Sequence, residues 1–145
     1  MFIRSFYALM ATLGFGIIFN IRGKNLFFAT LGGGLGWFGY ELGNYLGTSE
    51  VVALFIGALI ISTYSEILAR ILKAPVTTFV ICALIPLVPG GGMYYTMLDS
   101  VRGNFLNSLQ IGIQTLFKAG AIAVGVILSS SIARLITFIK INKVN

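Results

Sequence analysis

The chain has 145 residues, of which 57% are hydrophobic and only 10% are charged, and its mean hydropathy is +0.96. A soluble domain of this size carries about 25% charged residues, so the composition excludes a soluble protein and indicates an integral membrane protein. The net charge of +6 comes from dispersed Lys and Arg residues beside apolar segments, which indicates membrane topology and not nucleic-acid binding.

Five segments approach the roughly 20 apolar residues that a membrane-spanning helix needs. In chain order they lie at about 5–21, 25–46, 50–71, 75–98 and 119–139, with an amphipathic stretch at 107–118 leading into the last one. The sequence therefore predicts an all-α bundle of about five transmembrane helices that forms a single domain, residues 1–145. An arrangement of four spans with one re-entrant segment is the alternative.

The second segment carries a row of glycines and one carboxylate. The glycines recur on one helical face: Gly32, Gly36, Gly39, Gly43 and Gly47. Such a face lets two helices approach closely, so it predicts a packing seam. Glu41 lies nearly opposite this seam. Since a carboxylate inside a membrane is costly and often functional, Glu41 is predicted either to snorkel or pair, or to couple protons or gate a pathway.

The third segment carries Ser62, Glu66 and Arg70 at four-residue spacing, so the three side chains share one helical face. A glutamate four residues before an arginine is the favourable order for an intrahelical ion pair. The structural interpretation is a charge pair near the cytoplasmic end. The functional interpretation is that Glu66 takes up protons or that Arg70 attracts an anionic solute.

The fourth segment is interrupted by Pro86, by Pro89 and by three consecutive glycines. Proline removes a main-chain donor, and glycine relaxes the backbone. In hydrocarbon, a broken helix persists only where its freed N–H and C=O groups meet protein, water or a ligand. The pattern therefore predicts a functional break near residues 86–92, with a plain kink or the true end of the span as the alternatives.

The predicted solute site lies at this break. Its residues are Pro89, Gly90, Gly91, Gly92, Met93, Tyr94, Tyr95 and Thr96, together with Asn20 from the inner end of the first span. The amides around the glycines begin a short half-helix whose positive end suits a carboxylate. The tyrosine and threonine hydroxyls add donors. Asn20 is predicted either to end its helix or to hydrogen-bond an amino-acid solute.

The positive charges predict the orientation of five spans. One side holds Arg22, Lys24, Arg70, Lys73, Lys140 and Lys143, and the other holds Arg4 and Arg102. We therefore expect the N-terminus outside and the C-terminus inside. No Ser–His or Cys–His arrangement, close carboxylate pair or metal-ligand cluster is visible, so the sequence predicts neither an enzyme nor a metal or cofactor site.

The run PLVPGGGMYYTM at 86–97, preceded by GFGIIFN at 14–20, resembles the threonine/serine exporter family. It is most similar to the small split subunit that corresponds to the C-terminal membrane half of the full-length exporter, over residues 5–136. The resemblance implies a bacterial inner-membrane exporter that uses the proton gradient, paired with a larger membrane subunit. Some split pairs are linked to export of succinate. The resemblance assigns no binding residues.

The leading hypothesis is therefore a subunit of a secondary exporter for threonine, serine or small dicarboxylates, working with the larger subunit or with further copies of itself. The alternative is a membrane scaffold that does not transport and that stabilises a larger transporter.

Overall fold

The computed structural model describes residues 2–142, and Lys143 of the predicted inner charge group lies outside this part of the chain. The described residues form helices and contain no strand. In chain order the helices are α1 (Phe2–Ile18), α2 (Lys24–Tyr45), α3 (Glu50–Leu72), α4 (Val76–Leu84) with a 3-10 turn (Ile85–Leu87), α5 (Gly90–Val101) and α6 (Phe105–Asn142). The predicted all-α class is confirmed.

The number of membrane spans is less firmly defined than the fold class. Among the described residues, α3 and the Phe105–Ile136 part of α6 are long and apolar enough to cross a membrane alone. The bent pair of α4 and α5 adds a third if the pair is one span, and α1 is a shorter apolar helix. By length and composition the described residues thus contain two or three candidate spans. The predicted number of about five spans is only loosely supported.

The first helix ends earlier than the predicted 5–21 because the backbone turns at Asn20. This residue has a left-handed φ of 57°, which stops the helical ladder. The Ile21 N–H closes the end by donating to the Gly16 carbonyl at 2.9 Å. Of the two interpretations of Asn20, helix termination is the one that the backbone geometry supports.

Glycines bring α2 close to helices on two of its sides. Gly36 lies directly against Ile61 of α3, and Gly33 lies directly against Thr12 of α1. A Cβ at either position would overlap these side chains, so the absence of a side chain is what permits the approach. Gly47, the last member of the predicted seam, lies instead in the turn after α2 with a φ of 79°.

The hydrophobic core lies where α3, α4 and α6 meet. One cluster of buried residues contains Leu54, Ala58, Ile61, Val80, Ala83, Leu87 and Ile122. Leu87 belongs to the 3-10 turn, so the buried core extends past α4 to the end of this turn. None of the residues of α5 is buried.

Helices α3 and α6 run side by side in the same direction. Near the start of α3, Lys118 Nζ lies 2.7 Å from Glu50 Oε2, and near its end Arg70 Nη2 donates to the Ala133 carbonyl at 2.7 Å. The part of α6 before Lys118 therefore extends roughly 20 Å beyond the start of α3, at 1.5 Å per residue.

Helix α5 packs along this extension, and we call α5 with residues 105–118 the α5–α6 hairpin. Among the described residues, α5 contacts no helix other than α6. Small and polar side chains fill the interface, where Gly92 meets Thr115 and Gly112 meets Thr96. The outer surface is apolar: Met93, Tyr94, Tyr95, Met97, Val101, Phe105, Leu106, Leu109, Ile113, Leu116 and Phe117 are all exposed. This inverted pattern suits surroundings of lipid or of another protein.

Replacing Gly57 with alanine should destabilise the protein. The new Cβ would lie 2.9 Å from the Gly36 carbonyl oxygen, and a backbone atom of a packed helix cannot move away easily. We expect the free energy of unfolding to fall by roughly 1–3 kcal/mol, as for other overpacked sites. Unfolding in mixed micelles of a mild detergent and dodecyl sulfate measures this change.

Gly120→Ala is the matched control, because a Cβ there meets no atom within 4 Å. Alanine is the better helix former, so this variant should unfold at equal or higher denaturant. Equal losses in the two variants would contradict the close α2–α3 approach as a determinant of stability.

Candidate functional site

The predicted helix break is present. The helical stretch Val76–Leu87 and α5 are bent by 55° with respect to each other. Two short-range hydrogen bonds stabilise the turn between the two helices. The Val88 N–H donates to the Ile85 carbonyl at 3.2 Å, and the Gly90 N–H donates to the Val88 carbonyl at 2.7 Å. Because the two prolines have no N–H, the helical ladder cannot continue through this point.

Helix α5 starts with amides that its own ladder does not use. The first bond of the helix runs from the Met93 N–H to the Pro89 carbonyl at 3.2 Å, so the amides of Gly91 and Gly92 precede it. Pro89 supplies no side-chain cap. A Cβ built on Gly91 would meet no atom within 4 Å. The positive end of α5 is therefore accessible.

The other predicted residues of the break lie around this helix end on an open surface. Met93, Tyr94 and Tyr95 are each more than half exposed, and the two tyrosine rings stack edge to face with centroids 5.3 Å apart. The Thr96 hydroxyl already donates to the Gly92 carbonyl at 2.7 Å. The tyrosine rings are thus open to the surroundings, and among the described helices only α6 packs against α5.

Asn20 lies apart from the break. Pro86 shares a cavity of about 310 Å³ with Ala11 of α1, and Asn20 lies roughly 13 Å further along the chain at helical rise. Its side-chain oxygen accepts a hydrogen bond from Arg22 Nε at 2.9 Å. The structure therefore does not bring Asn20 to the helix break, and its role in solute binding stays a prediction.

Glu41 takes part in an ion pair between the first two helices. Its Oε1 lies 3.2 Å from Arg4 Nη1, and its side chain is only 12% exposed. Of the two interpretations of Glu41, this geometry supports the one in which Glu41 forms an ion pair, here with Arg4. A role in proton coupling or gating stays a prediction.

Glu66 and Arg70 line a cleft between α3 and α6. Glu66 Oε2 lies 3.9 Å from Arg70 Nη2, in the predicted four-residue spacing. The cleft also contains Thr63 and Ser129, whose hydroxyls lie 3.0 Å apart. Neither residue was among the predicted site residues, and Ser129 was expected to hydrogen-bond to its own helix. Thr63 could have been predicted from the sequence, because it lies one turn before Glu66 on the same helical face. Ser129 could not, because only the packing of α6 against α3 places it opposite Thr63.

Among the residues that the structure describes, no group of three or more His, Cys, Asp or Glu side chains could hold a metal ion. The polar features of the described residues include a helix end with unused amides and a charged cleft, both in an apolar helical protein. Half-helix ends and intramembrane charges of this kind are features of membrane transport proteins.

Comparison with known families agrees with this class. Residues 4–132 match the model of the family described as Threonine/Serine exporter, ThrE, and the chain therefore belongs to that family. The family predicted from the run at 86–97 is confirmed. It is a transporter family and not an enzyme class, and it supports an exporter-type role in membrane transport. No solved structure matches the chain.

Gly92→Ala should loosen the α5–α6 hairpin, because the added Cβ would collide with the Thr115 side chain. We expect the amides of α5 to exchange with solvent roughly tenfold faster, which corresponds to about 1.4 kcal/mol of local stability. Hydrogen–deuterium exchange of the protein in nanodiscs measures this rate. Gly91→Ala adds the same methyl group in open space and should leave the exchange of α5 unchanged or slower.

Proposed function

We propose that this protein is a subunit of a secondary exporter that moves threonine, serine or a small dicarboxylate such as succinate out of the cell. It lies in the bacterial cytoplasmic membrane with its N-terminus outside and its C-terminus inside, and the proton gradient drives export. It works with a larger membrane subunit, and further copies of the chain are a second possible partner.

The observation that carries this proposal is the accessible positive end of α5. The amides of Gly91 and Gly92 are not used by the helix, and they lie at the break of an otherwise apolar helix pair. Free amides and a helix dipole favour a negative group at this position. Threonine, serine and succinate all carry a carboxylate, so each offers such a group.

The open surface at the break supports the assignment of a partner. Tyr94 and Tyr95 are 61% and 56% exposed, so a solute at the helix end is contacted from one side only. A binding site buries most of the surface of a small ligand. The apolar outer face of the α5–α6 hairpin adjoins this half-site, and a second membrane subunit packed there would complete it.

We assign proton coupling to Glu66 or Glu41, with Arg70 beside Glu66 as a gate. Both glutamates lie on predicted spans, where a carboxylate is costly unless it is paired or functional. Their side chains are 15% and 12% exposed, and each lies next to an arginine. A proton on either carboxylate would remove the charge of one partner and weaken the pair.

The exposed apolar surface of the hairpin also favours the second candidate, a scaffold that stabilises a larger transporter without contacting the solute. Helices without buried residues, such as α5, are suited to docking against another membrane protein. The two candidates differ in whether the amides at the break matter for export.

Gly91→Pro tests the carboxylate site directly. Proline is tolerated in the first turn of a helix but removes the N–H, whereas Gly91→Ala keeps the N–H and adds a methyl group in open space. A hydrogen bond to a charged group contributes about 1.5–3 kcal/mol, so solute affinity should fall roughly 10- to 100-fold in Gly91→Pro. Proteoliposomes loaded with labelled threonine, serine or succinate measure the concentration dependence of export. Equal export by the two variants would remove the site assignment.

Export should also require both subunits. Proteoliposomes containing this chain and the larger subunit should export solute when a proton gradient is imposed, and a protonophore should abolish the flux. The larger subunit alone should be inactive even in a lipid and detergent condition in which its stability is restored. Full activity of that subunit alone would favour the scaffold.

A further inference from the structure

Three cations lie at the end of the bundle where α1 and α3 finish and α2 and α4 begin, and we call Arg22, Lys24 and Lys73 the basic end. The packing of α2 on α3 brings them together. Gly43 packs against Ala53, and Gly32 packs against Tyr64, so the two helices are antiparallel and in step. In the same register, the start of α2 is level with the end of α3. The three side chains, all exposed, therefore lie close together at one level of the protein.

Acidic side chains do not balance the charge of the basic end. Three of the four acidic residues in the chain lie toward the other end, namely Glu41, Glu50 and Asp99. The first two of these form ion pairs with cations there. The fourth, Glu66, lies beside Arg70 on the side of α3 that faces α6. Among the described residues, no acidic side chain thus pairs with any of the three cations of the basic end.

The helix ends add to this positive potential. Helices α2 and α4 begin here, and neither of their N-cap residues, Gly23 and Pro75, supplies a side-chain cap. The helices that finish here are better satisfied. The Ile21 N–H donates to a carbonyl in the last turn of α1, and the Ala74 N–H donates to one in the last turn of α3. Uncapped N-terminal amides favour an anion, so the backbone and the side chains of the basic end attract the same kind of ligand.

Apolar side chains border the basic end. Ile18 and Phe19 at the end of α1, Phe27 on α2 and Ile71 on α3 are each at least half exposed. Cations at the edge of an apolar membrane surface are suited to anionic lipid headgroups, because the acyl chains of the lipid cover the apolar surface while its phosphate meets the cations. A free anion would leave these apolar side chains uncovered.

We propose that the basic end binds the phosphate of an anionic phospholipid. Arg22 donates to the phosphate with the guanidinium nitrogens that remain after its Nε donates to Asn20 Oδ1 at 2.9 Å. Asn20 thus acts as a positioning residue. Lys24 and Lys73 hold the phosphate from the neighbouring helices as ammonium charges. The inference goes beyond the proposed exporter function, since it concerns the surrounding lipid and does not depend on which solute is moved.

Binding of short-chain phospholipids to the purified full-length chain in detergent micelles, measured by isothermal titration calorimetry, tests the proposal. Phosphatidylglycerol and phosphatidylcholine with identical acyl chains both carry a phosphate, but only the first has a net negative charge. Phosphatidylglycerol should bind at least roughly tenfold more tightly, since each basic residue near an anionic lipid contributes about 1 kcal/mol. Inorganic phosphate at millimolar concentration should not displace it. Equal affinity for the two lipids, or displacement by inorganic phosphate, would overturn the proposal.

Lys73→Gly is the sharpest substitution. Lys73 has a left-handed φ of 50°, which glycine adopts without strain, so this change removes the charge and preserves the turn. The affinity for phosphatidylglycerol should fall roughly fivefold, the effect of one basic residue at an anionic lipid surface, and the affinity for phosphatidylcholine should stay the same. Arg22→Gln and Lys24→Gln should have the same effect.

Arg102→Gln is the matched control. It removes the same charge from an exposed position that follows α5, at the other end of the protein, and should leave the lipid preference unchanged. Equal losses in Lys73→Gly and Arg102→Gln would show that net charge attracts the lipid without a defined site, and would contradict the proposal. The flux test on Gly91 does not depend on any of these outcomes.

Discussion

Hydrocarbon offers the main chain no hydrogen-bond partners, so every N–H and C=O of a membrane helix must be satisfied within the protein or by something bound to it. At the α4–α5 break the chain meets this constraint only in part. The short bonds at Val88 and Gly90 satisfy the turn itself, and the amides of Gly91 and Gly92 remain available. The surroundings of the start of α5 have to satisfy these amides, and a solute, a second protein or water can each do so.

Glycine serves two opposite purposes in this protein. In α2 and α3 it removes side chains from tight interfaces, as where Gly57 approaches the Gly36 carbonyl, and so creates the rigid packing of α1 to α4. At Gly90 and Gly91 nothing lies within 4 Å of a built Cβ, so the missing side chain leaves the backbone accessible instead. The same residue type thus permits close helix packing in α2 and α3 and leaves the main chain accessible at the start of α5.

The two polar regions lie at different levels along α3 and α6. The free end of α5 lies beside Thr115, near the Lys118–Glu50 pair at the start of α3, and the charged cleft lies toward the end of α3. Both are bordered by α6, a helix of 38 residues that runs past both regions.

Composition and hydropathy determined the membrane class, because too few polar residues are present to cover a soluble surface. The prolines and glycines at 86–92 determined the break, since a proline inside a helix removes a ladder N–H and clashes with the preceding turn, and the same run identified the exporter family. The four-residue spacing of Glu66 and Arg70 likewise predicted their pairing. Only the tertiary structure placed Ser129 opposite Thr63, packed α5 against α6 and no other described helix, and separated Asn20 from the break. These features depend on which helices pack together although they are distant in the sequence. Sequence patterns that span one or two helical turns do not predict such contacts.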